Sequence, residues 1–164
     1  MAIANSAHLP PLEEPHEREE VGLLLQALLV ELVDLSLLGK QLHWSVTGTH
    51  FRSLHLQLDE AVDSWRGLSD TVAERAVALG FMPDGQSAAV AADSPLRGVE
   101  RGEIQDHVVV RELTTRLAEA AERAREKMDR LSELDAASED AVIEVVRKLE
   151  EQLWMFRVQL GEHA

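Results

Sequence analysis

The sequence contains no cysteine, which removes disulfides and thiolate metal sites from consideration. Bases are scarce as well: 16 Lys and Arg stand against 30 Asp and Glu, for a formal net charge of −14. Nucleic-acid binders usually carry a basic footprint, and this chain carries the opposite. It has no internal repeat and no low-complexity tract. Residues 1–11 lack a basic start followed by an apolar run, so no signal peptide is expected and a cytoplasmic setting is the natural one. The most apolar stretch, residues 21–39, is interrupted by Gln26, Glu31 and Asp34. That interruption predicts a buried helix and no membrane span. What the chain does have is length: 164 residues, enough for one domain whose core needs no cross-links.

Apolar periodicity predicts four long helices. The first, residues 17–46, sets Val21, Leu24, Leu25, Leu28, Leu32 and Leu35 on one stripe at spacings of three and four. A turn over 45–49 contains Gly48, which is free to take positive φ. The second helix, 50–79, stops at Gly80, with Pro83 following. The third, 103–131, carries Leu113, Leu117, Ala121, Ala124 and Met128. The fourth begins after Ser138, taken as the N-cap with Glu139 and Asp140 behind it. Its Val142, Val145, Leu149, Leu153, Phe156 and Leu160 lie close to a heptad seam. The stretch 80–102 is long for a bundle connection, and a crossover between parallel neighbours accounts for it. Within it, Ala-rich 86–92 suits a short extra helix. Residues 1–16, with Pro10, Pro11 and Pro15, are expected to be a mobile arm ahead of a domain over 17–164. The expected fold is all-α, a four-helix bundle.

The chemistry-bearing residues concentrate on the second helix. His55 and Asp59 are four apart, as are Asp70 and Glu74, so each pair shares a face. Eleven residues separate Asp59 from Asp70, which returns the helix to within about 20° of its start, so all four lie on one stripe. The same eleven residues rise about 16 Å, far too much for one ion with bonds near ~2 Å. The spacing is symmetric, however: 55 mirrors 74, and 59 mirrors 70, about the midpoint between Ser64 and Trp65. Two copies crossing antiparallel there bring His55 and Asp59 of one chain against Glu74 and Asp70 of the other, giving two identical sites per dimer. His43 lies six residues before Thr49 and His55 six after, so a hairpin sets them side by side. Two imidazoles with three carboxylates suit iron, manganese or zinc. The same symmetry places Asp63 opposite Arg66 of the other copy, predicting ion pairs that bracket the axis.

Isolated histidines on helices seldom bind metal, and His8, His16, His50, His107 and His163 are given that reading. Glu13 and His16 have the spacing of a Glu-x-x-His ligand pair but sit in the Pro-rich arm.

The run Leu38-Gly-Lys-Gln-Leu-His43-Trp44, then Gly48, Phe51, Leu54-His55 and Leu58-Asp59-Glu60, then Asp70-Thr-Val-Ala-Glu74-Arg75-Ala76 and Leu79-Gly80, resembles the Dps family, the DNA-binding proteins from starved cells, or miniferritins. Helix order, the crossover and the Leu153-Trp154 segment extend the resemblance over nearly the whole chain. It implies a ferritin-like bundle assembling into a hollow dodecamer. It further implies oxidation of Fe2+ at di-iron centres between subunits, preferentially with hydrogen peroxide, and storage of ferric mineral. The implied ligands are His43, His55 and Asp59 of one subunit with Asp70 and Glu74 of its two-fold neighbour. Trp44 is a candidate electron donor, against the plainer role of a half-buried packing aromatic. Glu112, Glu119 and Glu122 are candidates for the inner wall or the pores. The sequence departs from the family's DNA-binding members, which often carry Lys- and Arg-rich tails: the arm here is acidic, so DNA binding is not expected. A DNA-compacting nucleoid protein is the alternative function. A larger ferritin shell is disfavoured because no helix carries a Glu-x-x-His pair.

Overall fold

The computed structural model describes residues 9–10 and 15–163. Most of the expected mobile arm lies outside the described residues. The helices follow in the expected order: α1 (Pro15–Ser45), α2 (Phe51–Ala78), α3 (Ser87–Asp93), α4 (Asp106–Leu134) and α5 (Ala136–Arg157), with a final 3-10 segment at Val158–His163. α1 packs mainly on α2 and α4 mainly on α5, so the bundle is two helical hairpins joined by a crossover that carries the short α3.

Apolar positions at helical spacing on α1 and α2, such as Leu25, Leu32, Leu35, Leu58, Val62 and Trp65, are buried between the hairpins. Gly39 permits a close approach of α1 to α2: a Cβ there would lie 2.5 Å from the Trp65 ring and 2.7 Å from Val62 Cγ2. The buried Trp65 indole donates to Gln152 Oε1 on α5 at 2.5 Å, so the one polar atom of the largest core side chain is satisfied. α2 ends in a Schellman motif. Gly80 takes φ 86, its N–H reaches Val77 O at 2.9 Å, and Phe81 N–H reaches Ala76 O at 2.9 Å.

α1 is long and apolar enough to cross a membrane, and 61% of that stretch is buried within the bundle. Its buried Glu31 accepts two bonds from Arg123 of α4, at 2.9 and 2.7 Å. An ion pair taken from water in this way is costly to break, at about 3–5 kcal/mol.

Side chains staple the crossover down. Gln26 on α1 donates to Asp84 O at 2.8 Å and accepts from Asp84 N–H at 2.9 Å. Asp34 accepts from Ser94. The buried Arg116 of α4 donates to Arg97 O and Gly98 O at 3.0–3.2 Å, satisfying carbonyls that no helix would use.

Several boundaries differ from expectation: α1 begins at Pro15, inside the expected arm, α4 ends at Leu134 instead of 131, and two further differences have a clear physical cause. α4 starts at Asp106 instead of 103, because Ile104 and Gln105 pair in parallel with Val46 and Thr47, a ladder between segments nearly 60 residues apart that periodicity cannot reveal. Ser138 is not the N-cap of α5. That role falls to Asp135, the only residue between α4 and α5, whose carboxylate accepts from Ser138 N–H at 3.1 Å. Ser138 is fully buried, and its hydroxyl donates to the same carboxylate and accepts from Arg75 Nε at 2.9 Å.

Candidate metal centre

The α1–α2 turn returns the chain on itself, bringing His43 in the last turn of α1 beside His55 in the second turn of α2. His43, His55 and Asp59 each offer a ligand atom, and these atoms lie within 4.8 Å of one another. The two imidazoles are stacked, with centroids 3.6 Å apart and planes 23° apart. They also exchange backbone bonds: His43 Nδ1 lies 2.9 Å from His55 O, and His55 Nδ1 lies 3.0 Å from His43 O. A carbonyl can only accept, so each Nδ1 carries the proton. Each Nε2 therefore keeps a lone pair for a metal ion. His43 is buried, at 6% exposure, while His55 and Asp59 are half-buried. The cluster thus opens to the surface on the α2 side.

Lys40, one turn before His43, donates to Asp59 Oδ1 at 2.5 Å. That bond, helped by the Lys40 charge, holds the Asp59 carboxyl below the usual carboxylate range against partial desolvation. Asp59 is thus an anion ready for a cation and already engaged by one. Lys40 Nζ also lies 5.9 Å from the centroid of the Trp44 ring. Trp44 is 69% exposed, so within one chain it is not the half-buried packing aromatic of the plainer reading. Phe51, the first residue of α2, lies on the other side of His55, with centroids 5.1 Å apart.

Asp70 and Glu74 are not part of this cluster. Both are exposed on α2, roughly 16 and 22 Å further along the helix than Asp59 by the rise per residue. Among the described residues neither carboxylate has a hydrogen-bond or ion-pair partner. Asp63 and Arg66 contact each other within α2 at 3.8 Å, both well exposed. Of the α4 acids, Glu112 pairs with Arg116 and Glu119 lies 3.8 Å from Arg97, which leaves Glu122 exposed. The sequence reading quoted Lys40 and Phe51 within the motif but gave neither a role at the site. Spacing could have found both, since Lys40 is three residues from His43 and Phe51 four from His55.

The ferritin-like domain model matches residues 23–163, and with the observed bundle and crossover it makes this a ferritin-like protein. The DNA protection during starvation protein of Mycolicibacterium smegmatis is 34% identical over 143 residues, spanning 86% of this chain and 77% of the relative. The tetragonal form of Mycobacterium smegmatis Dps matches with a TM-score of 0.91 at 30% identity, over 97% of this chain and 96% of that one. DpsA14 from Streptomyces coelicolor matches with a TM-score of 0.91 at 28% identity, over 99% and 96%. The chain belongs to the Dps family.

Proposed function

We propose that this protein is a ferroxidase and iron-storage miniferritin that acts in the cytoplasm. In this reading a hollow dodecamer built from two-fold dimers oxidises Fe2+ at di-iron centres between subunits and holds the ferric product inside. One observation carries the proposal: three ligand atoms converge within 4.8 Å, and both imidazoles have their Nδ1 committed to backbone carbonyls. An imidazole–carboxylate set without sulfur suits iron.

His43 and His55 supply neutral Nε2 donors, and Asp59 supplies charge once Lys40 yields. Three groups leave an ion under-coordinated. Asp70 and Glu74 of the partner subunit complete the set when two α2 helices cross antiparallel near residues 64–65. Features of α2 favour that crossing. Asp70 and Glu74 are exposed and unpaired within their own chain, and Gly67 beside the midpoint has open space around its Cα. Carboxylates stabilise Fe3+ more than Fe2+ because the ionic charge is higher, so the site favours oxidation. Two Fe2+ ions give one electron each to hydrogen peroxide, which with two protons becomes two waters. Pairing the electrons avoids the one-electron step that releases hydroxyl radical. Trp44, exposed beside the cluster, is the candidate donor for an unpaired electron.

Subunit mixing tests the shared centre. Asp59→Ala and Glu74→Ala should each slow Fe2+ oxidation in stopped-flow absorbance, with peroxide the faster oxidant over oxygen. Co-assembled, the two variants should regain part of the activity, because a mixed dimer rebuilds one intact centre of two. Mixtures as inactive as their parents would show that each centre lies within one chain.

A further inference from the structure

His55 meets two other rings: His43 stacks on it at 3.6 Å, and Phe51 lies 5.1 Å away, tilted by 38°. His43 is anchored by burial, but His55 is only half-buried. Its Nδ1 is held by the bond to His43 O at 3.0 Å, and Phe51 is the second side chain set against the ring.

Phe51 is itself set by the turn before it. Its N–H donates to Gly48 O at 3.2 Å, and Gly48 takes φ 120. A Cβ at Gly48 would strike the Asp106 carboxylate at 2.7 Å. That carboxylate accepts from His50 N–H at 2.8 Å, tying the start of α2 to the start of α4. Nothing in the core requires an aromatic here, since Phe51 is 45% exposed. An apolar ring left half exposed by its own chain, one helical turn from His55 and in contact with it, points to a role at the site.

We infer that Phe51 is a positioning residue of the metal centre: its ring clamps the His55 imidazole against His43, so that the two donors meet the incoming ion already aligned. The inference rests on the metal-centre reading above. A metal site gains affinity when its donors are ordered before binding, so the clamp acts on metal capture more than on the oxidation that follows.

Co2+ titration of the metal-free full chain, by calorimetry and visible absorbance, tests this without redox chemistry. Phe51→Ala should weaken Co2+ binding about tenfold, as loss of a ligand-orienting neighbour typically does. The Fe2+ concentration for half-maximal oxidation should rise similarly, while the saturated rate stays within about twofold. Phe51→Tyr keeps the flat ring and should bind like the parent. Phe51→Leu keeps apolar bulk without a ring face and should remain weak. Phe51→Ala or Phe51→Leu binding as tightly as the parent would overturn the inference. If Phe51→Ala fails to assemble, the contrast between Leu and Tyr decides. His55→Ala separates the two levels. Unchanged Co2+ binding in His55→Ala removes the centre itself, whereas loss there beside unaffected Phe51 variants removes only the clamp.

Discussion

Lys40 and an incoming divalent ion want the same oxygen of Asp59. The ion pair at 2.5 Å, with both side chains partly exposed, is of the solvent-screened kind that contributes little. It stands as a weak competitor, easily displaced by a metal ion with several ligands. Lys40→Met should therefore raise Co2+ affinity at neutral pH by no more than about fivefold, measured by calorimetry. A loss of affinity would mean that the ammonium group helps to build the site. At this scale the sequence was informative wherever spacing alone places a side chain. His43, His55 and Asp59 meet as the hairpin requires. The Lys40–Asp59 contact was not anticipated because a lysine near a metal site invites no search by ligand type, although its helical phase puts it there.

Among the elements, the one-residue connection at Asp135 shows why helix ends resist prediction. Ser138, followed by two acids, has the composition of an N-cap, yet Asp135 precedes it and can serve both the backbone and Arg75, which it meets at 2.6 Å. Burial works to raise the Asp135 carboxyl, but bonds from Ser138 and Arg75 outweigh it and hold the group below its ordinary value. The sign follows: a depressed folded pKa gives stability that is present above the unfolded value, near ~3.9, and lost as pH falls through the folded one. Asp135→Ala should lower stability at pH 7 by about 1–2 kcal/mol and flatten the acid limb of a stability–pH profile below about pH 4. Asp135→Asn, which still caps, should lose less at pH 7 but flatten that limb equally. Denaturant unfolding across pH checks both. The start of α4 was illegible for another reason: two residues of ladder pairing depend on a partner strand far away in sequence. Helix count, order and the crossover were legible because each long helix displays its own buried stripe.

For the molecule as a whole, charge decides the choice of partner. The net charge is −14, and many of its cations are occupied by its own acids: Arg75, Arg97, Arg116, Arg123, Arg125 and Arg130 all form ion pairs within the chain. The cations left over are outnumbered by carboxylates, which opposes replacing the counterions of a phosphate backbone. In metal-free buffer at about 150 mM salt, a gel-shift titration should show no retardation of duplex DNA at micromolar protein. Tight retardation there would favour the DNA-compacting alternative. Metal-free buffer matters because a divalent cation could bridge two anionic surfaces. The same acidity concentrates cations around the molecule, which suits a protein whose proposed substrate is Fe2+. Here the single chain shows only part of what its sequence implied. The stripe from His55 to Glu74 reads as two proposed half-sites; in one chain His55 and Asp59 join His43, while Asp70 and Glu74 stand apart and exposed.

The exchanged bonds between His43 and His55 make the two ligands a single unit of failure. Each ring is steered by a carbonyl belonging to the other residue's backbone, so a shift of either helix end misaims both donors together. Tilting α1 against α2 would not weaken the ligands by degrees, one after the other. It would release the pair at once, giving the centre the character of a latch set by the hairpin's closure.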